Sequence, residues 1–222
     1  MKKKLLIWDF DGVIADTEKL WLRNRQKLLK EYMNVDLDWP TIERLLKGMS
    51  DFTKREMLDR EGIITDDYFW EKSIQMDLES MYTIGFDLTK DIEDIFKLNI
   101  KQCIATGGLK GKTAKKIDVV NIRKYFPEEQ VFTADMVKRG KPDPDLFLLA
   151  AKSNNTLPID CVVVEDSIAG LTAAIKANIT PIAYFDGTIS EDNNQIKQMR
   201  ELGVKYIFNN MIDIKNKILE LF

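Results

Sequence analysis

The 222-residue sequence predicts a doubly wound α/β domain with a helical insertion close to its N-terminus. Three observations lead there. Short apolar runs alternate with helix-length segments over most of the chain. Several of these runs are apolar on both faces, as central strands of a parallel sheet are. One region, from about Thr17 to about Thr83, breaks the alternation with helical patterns alone.

The first strand is "KLLIW", and it runs straight into two aspartates, Asp9 and Asp11, ahead of Gly12. In the helical region "EKLWLRNRQKLLKEYM" sets Leu20, Trp21, Leu28 and Met33 among charges. "DFTKREMLDREG" and "DYFWEKSIQMDLESMY" follow, with Tyr68, Phe69 and Trp70 read as core of a small bundle. The alternation then resumes. "IKQCIAT", "QVFTA", "CVVVED" and "PIAYF" read as strands, with "KYIF" as a late addition. "GKTAKKIDVVN", "DPDLFLLAAKS" and "SIAGLTAAIKAN" have helical spacing, the last with Ser167 as its N-cap and an end near Asn178. "DIKNKILELF" closes the chain as a helix. This βαβα order predicts a parallel sheet with crossover helices. The domains expected are residues 1–16 with 84–222 for the sheet, and 17–83 for the helical block.

Composition narrows the function classes. An apolar fraction of 45% and a charged fraction of 31% fit a soluble globular protein. A formal net charge of −3 speaks against a nucleic-acid partner. Only Leu5, Leu6, Ile7 and Trp8 separate the basic start from Asp9, too short a run for a signal peptide. No stretch approaches the roughly 18 apolar residues of a membrane span. The expectation is a cytoplasmic chain with no membrane partner, monomeric or at most a weak homodimer. Cys103 and Cys161 each lie in an apolar run and read as small core thiols. Histidine is absent. That excludes any mechanism built on an imidazole base or a histidine metal ligand.

Ligands of open parallel sheets bind outside the carboxyl ends of the strands. Asp9 and Asp11 end the first strand, and a second acidic pair, Glu165 and Asp166, ends "CVVVED". If the two strands are neighbours, up to four carboxylates converge at one edge. A hard divalent cation with oxygen ligands resolves that repulsion, and Mg²⁺ fits a site that keeps several waters. Thr106, followed by Gly107 and Gly108, offers a hydroxyl and backbone N–H groups to a phosphate. Lys141, framed by Pro142 and Pro144, offers a fixed positive charge.

Taken together, "DFDGVIADT", "ATGG", "GKPDPDLF" and "VVVEDSIAGLTAA" resemble, in order, the four motifs of the haloacid-dehalogenase-like hydrolase superfamily. The resemblance covers the whole chain, and it is nearest in character to the capped sugar-phosphate phosphatases and β-phosphoglucomutase-like members. It implies a Rossmann-like core, a four-helix cap, Mg²⁺ as cofactor and a small phosphate ester as substrate. Under it Asp9 is the nucleophile and Asp11 the general acid and base, with a pKa raised by a lack of ionised company on the reacting side. Thr106, Gly107 and Lys141 hold the phosphoryl group. Asp9, the Asp11 backbone carbonyl and Asp166 hold the metal, with Glu165 joining directly or through water.

Asp11 and the Glu165–Asp166 pair speak against carbon–halogen chemistry, because a leaving halide needs no proton donor. The mutase-like members resemble this chain at "LKGMS", yet they carry a histidine where Trp21 stands and an arginine where Asp51 stands. Simple hydrolysis is therefore the expectation, of a sugar phosphate or a sugar-acid phosphate such as 6-phosphogluconate. A phosphomutase and a non-catalytic phosphometabolite sensor are the alternatives. Trp21, Lys47, Gly48, Met49 and Lys72 are the cap positions expected to choose the substrate.

Overall fold

The computed structural model describes residues 2–47, 51–187, 189 and 193–222. Residues 1–15 with 87–222 form one compact unit, and residues 16–86 form a second.

The first unit is built on six parallel strands: β1 (Leu5–Trp8), β2 (Gln102–Thr106), β3 (Val131–Thr133), β4 (Cys161–Glu165), β5 (Thr180–Tyr184) and β6 (Tyr206–Phe208), in spatial order β3-β2-β1-β4-β5-β6. The strand order reverses direction between β1 and β4, which makes their carboxyl ends the topological switch point of the sheet. All residues of β1 and β4 are buried, so both strands are apolar without alternation as far as Glu165, the last residue of β4. Leu5, Ile7, Cys103, Ala105, Cys161 and Val163 pack one face of the sheet onto the helices Asp145–Ser153 and Ile168–Lys176. On the other face, Trp8 meets Phe96 edge-on at 5.6 Å, and Phe96 meets Phe126 in the same way at 5.0 Å. The Trp8 indole N–H donates to Gln102 Oε1 at 2.9 Å, which satisfies its buried polar tip. Cys103 and Cys161 are free buried thiols, and burial pushes both upward, Cys161 to about 11.

The second unit holds α1 (Glu18–Met33), α2 (Trp39–Leu46), α3 (Asp51–Arg60) and α4 (Asp67–Thr83). Leu22, Leu28, Leu29, Ile42, Leu45, Leu46, Leu58 and Phe69 form its apolar core. Of the aromatic triplet in α4, Phe69 is fully buried and Trp70 packs against it, whereas Tyr68 is exposed. Asp38 and Asp66 cap α2 and α4 by accepting from the backbone N–H groups of Thr41 and Phe69. The remaining helices belong to the first unit: α5 (Glu93–Phe96), α6 (Lys110–Val119), α7 (Asp145–Ser153), α8 (Ile168–Lys176), α9 (Asn194–Glu201) and α10 (Met211–Leu221). Among the described residues, no helix is long and apolar enough to cross a membrane.

Candidate active site

Two neighbouring strand ends meet at the switch point. The Asp9 N–H donates to Val164 O at 3.0 Å, extending the β1–β4 pairing by one residue and setting Asp9 beside Glu165. The chain then turns sharply: Gly12 N–H donates to Ala15 O, and the Ile14 and Ala15 N–H groups both donate to Phe10 O. Gly12 sits at φ +81°, and a Cβ there would stand 2.1 Å from Asp166 Oδ2. Only glycine supplies both the left-handed backbone and the room for Asp166.

Glu165 is held on both oxygens. Oε1 accepts from the backbone N–H and hydroxyl of Ser167, at 3.1 and 2.6 Å, and Oε2 accepts from Lys141 Nζ at 2.7 Å. Ser167 Oγ in turn accepts from Gly170 N–H and caps α8, as its place in the sequence predicts. Lys141 also donates to Asp9 Oδ1 at 2.5 Å, and its ammonium lies over the Phe147 ring at 4.9 Å. One ammonium thus serves two buried carboxylates. Burial, and next the charge of Glu165, push the Asp9 carboxyl up to about 7 against the opposing pull of Lys141. For Lys141 burial works downward, but the attraction of Asp9 and Glu165 prevails and its pKa is raised.

Carboxylate oxygens of Asp9, Glu165 and Asp166 lie within 4.8 Å of one another. An all-oxygen donor set with an excess of negative charge fits a hard divalent cation. The structure brings together three of the four acids expected to converge. The fourth, Asp11, turns its side chain elsewhere: both of its oxygens accept from Lys116 Nζ, at 2.5 Å each. This overturns the expectation that Asp11 lacks ionised company. Its backbone carbonyl remains the group expected to face a metal.

Thr106 is buried at the end of β2, and its Oγ1 accepts from Gly108 N–H at 3.2 Å. Gly107 beside it is exposed, with open space where a Cβ would stand. In the helical unit Trp21 is buried, its ring edge toward Phe86 with centroids 6.5 Å apart. Lys47 is exposed and ends α2, its N–H donating to Glu43 O. Lys72 is partly exposed and donates to Gln75 Oε1. Gly48 and Met49 lie outside the described residues.

Sequence reasoning missed Lys116. The signal was there: in "KTAKKI" Lys116 stands three residues after Thr113 and one before Ile117, all three on the buried face of α6. A lysine in a core phase needs a partner.

Over residues 6–184 the chain matches the profile of haloacid dehalogenase-like hydrolases. It is 29% identical over 188 residues to the phosphorylated carbohydrates phosphatase of Thermotoga maritima, covering 80% of this chain and 82% of that one. It is 23% identical over 182 residues to the 6-phosphogluconate phosphatase of Escherichia coli, with 81% of each chain covered. In three dimensions it resembles a hydrolase from Deinococcus radiodurans solved with bound phosphate and sodium, with a TM-score of 0.85, 21% identity, and coverage of 99% of this chain and 96% of that one. The fold, the strand-end acids and the length of the profile match agree: the chain is a hydrolase and belongs to the haloacid dehalogenase-like family.

Proposed function

We propose that this protein is a Mg²⁺-dependent phosphatase of a small phosphorylated metabolite, a sugar phosphate or sugar-acid phosphate such as 6-phosphogluconate. The observation that carries the reading is Asp9: a buried carboxylate at the switch point, held by Lys141 and flanked by Glu165 and Asp166 within the span of one cation. Asp9 Oδ attacks the phosphorus, and the ester oxygen departs. Asp11 gives that oxygen a proton and later takes one from the water that releases phosphate. Lys141, Thr106 and the Gly107 N–H hold the phosphoryl oxygens as their charge spreads.

Asp9, Asp166 and the Asp11 carbonyl would hold Mg²⁺. When bound, it would neutralise charge on the nucleophile and phosphoryl group. Both Glu165 oxygens are already engaged, by Ser167 and Lys141, which favours contact through water for that residue. The names of the two relatives, both phosphatases acting on carbohydrate-derived phosphates, support the substrate class. Choice among such esters is assigned to the helical unit, with Trp21, Lys47 and Gly48 as the first positions to vary.

The test is phosphate release from a panel of hexose phosphates, 6-phosphogluconate, phosphoglycolate, β-glucose 1-phosphate and nucleoside monophosphates, with Mg²⁺ and with chelator. Metal-dependent release that Asp9→Asn abolishes is the expected result. Substantial Mg²⁺-dependent release by that variant would refute Asp9 as nucleophile. Isomerisation of β-glucose 1-phosphate without release would point to a mutase.

A further inference from the structure

Lys116 is a buried cation whose partner is not buried. Its side chain is 3% exposed and that of Asp11 is 36% exposed. Lys110, Lys112 and Lys115 on the same helix are at least partly exposed. Withdrawing an ammonium from water has a cost that the attraction within one ion pair often fails to offset, so an apolar residue at this position would serve the fold as well. A carboxylate that reaches solvent, by contrast, needs no lysine to remain charged. What the pair does achieve is to fix an otherwise mobile side chain from beneath. The ammonium reaches both Asp11 oxygens and lies 5.4 Å from the centre of the Phe10 ring.

The surroundings are those of a built site. Thr113 is fully buried and its Oγ1 has no hydrogen-bond partner. A Cβ on Gly108 would stand 2.9 Å from that oxygen, 3.7 Å from Thr106 Oγ1 and 3.9 Å from Lys116 Nζ. Two hydroxyls and an ammonium therefore converge where Gly108 leaves space, beside the strand end that carries Thr106.

We propose that Lys116 is a positioning residue for Asp11, holding its carboxyl where it exchanges a proton with the ester oxygen. The proposal rests on the phosphatase reading. As the bond from Asp9 to phosphorus forms, the bond from phosphorus to the ester oxygen breaks, and that oxygen takes its proton from Asp11. Asp11 regains a proton from the water whose oxygen bonds phosphorus as the Asp9–phosphorus bond breaks. A protonated carboxyl retains an acceptor oxygen, so the ammonium still donates to it, more weakly than to the carboxylate, and Lys116 can hold Asp11 through both halves of the cycle.

The experiment compares the alkyl ester of the panel that the wild type turns over fastest with p-nitrophenyl phosphate, whose leaving group departs without a proton. Lys116→Met is expected to lower kcat for the alkyl ester about 100-fold. KM should be nearly unchanged, and the first-turnover burst of p-nitrophenol, which precedes the hydrolysis that needs Asp11 as base, should stay within a few-fold. Asp11→Asn should show the same selectivity, and the double variant should be no worse than Asp11→Asn alone. Lys116→Arg keeps the charge and changes its reach; it serves the same comparison if the Met variant does not fold. A loss in the p-nitrophenol burst equal to that on the alkyl ester, or losses that multiply in the double variant, would overturn the assignment. Absence of release from either substrate by the wild type would instead overturn the phosphatase reading itself, and the positioning role with it.

Discussion

Asp9 and Asp11 stand one residue apart, and each has its own lysine, Lys141 from the loop before α7 and Lys116 from α6. The acids were legible in the sequence because a run of apolar residues that ends in two carboxylates calls for a positive partner. Lys141 was legible from its proline frame. Lys116 was not read, because it sits among other lysines and only its phase on α6 separates it from a solvated charge. The burial of Asp9 beside Glu165 has a consequence in solution. The folded-state pKa of Asp9, about 7, lies above the ~3.9 of an unfolded aspartate. The folded chain therefore holds an extra proton between those values. The stability this contributes is fully present below about pH 4 and is lost as pH rises through 7. In chelator, the urea midpoint of the wild type should fall between about pH 5 and about pH 8, and Asp9→Asn should fall less. Mg²⁺ should flatten the wild-type decline. Parallel declines for the two proteins in chelator would show that Asp9 is not the group titrating.

At the scale of elements, the strands lie within a residue or two of their sequence-derived limits, because each centres on a short apolar run flanked by polar residues. Short or weakly apolar helices were not anticipated. α5 has four residues, and α9 buries only Ile196 and Met199. Pairings between distant helices were equally invisible. Arg25 of α1 donates to both oxygens of Asp77 of α4 at 2.5 Å, the two side chains being 3% and 2% exposed. Asn24 also donates to Asp77 Oδ1, and Ser80 donates to Asn24 Oδ1. No periodicity announces such a contact, since each residue looks like an ordinary charge on a helix. Removing one partner of a buried pair leaves the other charge in a dry interior. Asp77→Ala should accordingly destabilise the helical unit by about 3–5 kcal/mol, read from urea unfolding followed at its tryptophans. A loss below about 1 kcal/mol, the range of exposed pairs, would mean that water reaches this network.

For the molecule as a whole, the informative feature is the place where the chain leaves and re-enters the sheet unit. Ala15 bridges Leu88, the Thr89 N–H donates to Ile14 O, and the Thr89 hydroxyl donates to Val13 O. The two crossings are thus tied side by side, and each unit has an apolar core of its own. A protein in which a short turn joins Ala15 to Asp87 should fold, with a cooperative thermal transition and the circular dichroism of a parallel α/β sheet. A non-cooperative melt would show that the helical residues complete the sheet unit. The bridge makes residues 16–86 an interchangeable cassette. Because its two ends are fastened together before the helices begin, lengthening, shortening or exchanging them adds little to the entropy of closing the loop. On the proposed assignment of substrate choice to the helical unit, new selectivity can then be grafted between two fixed points while Asp9, Thr106, Lys141 and Asp166 keep their places at the strand ends.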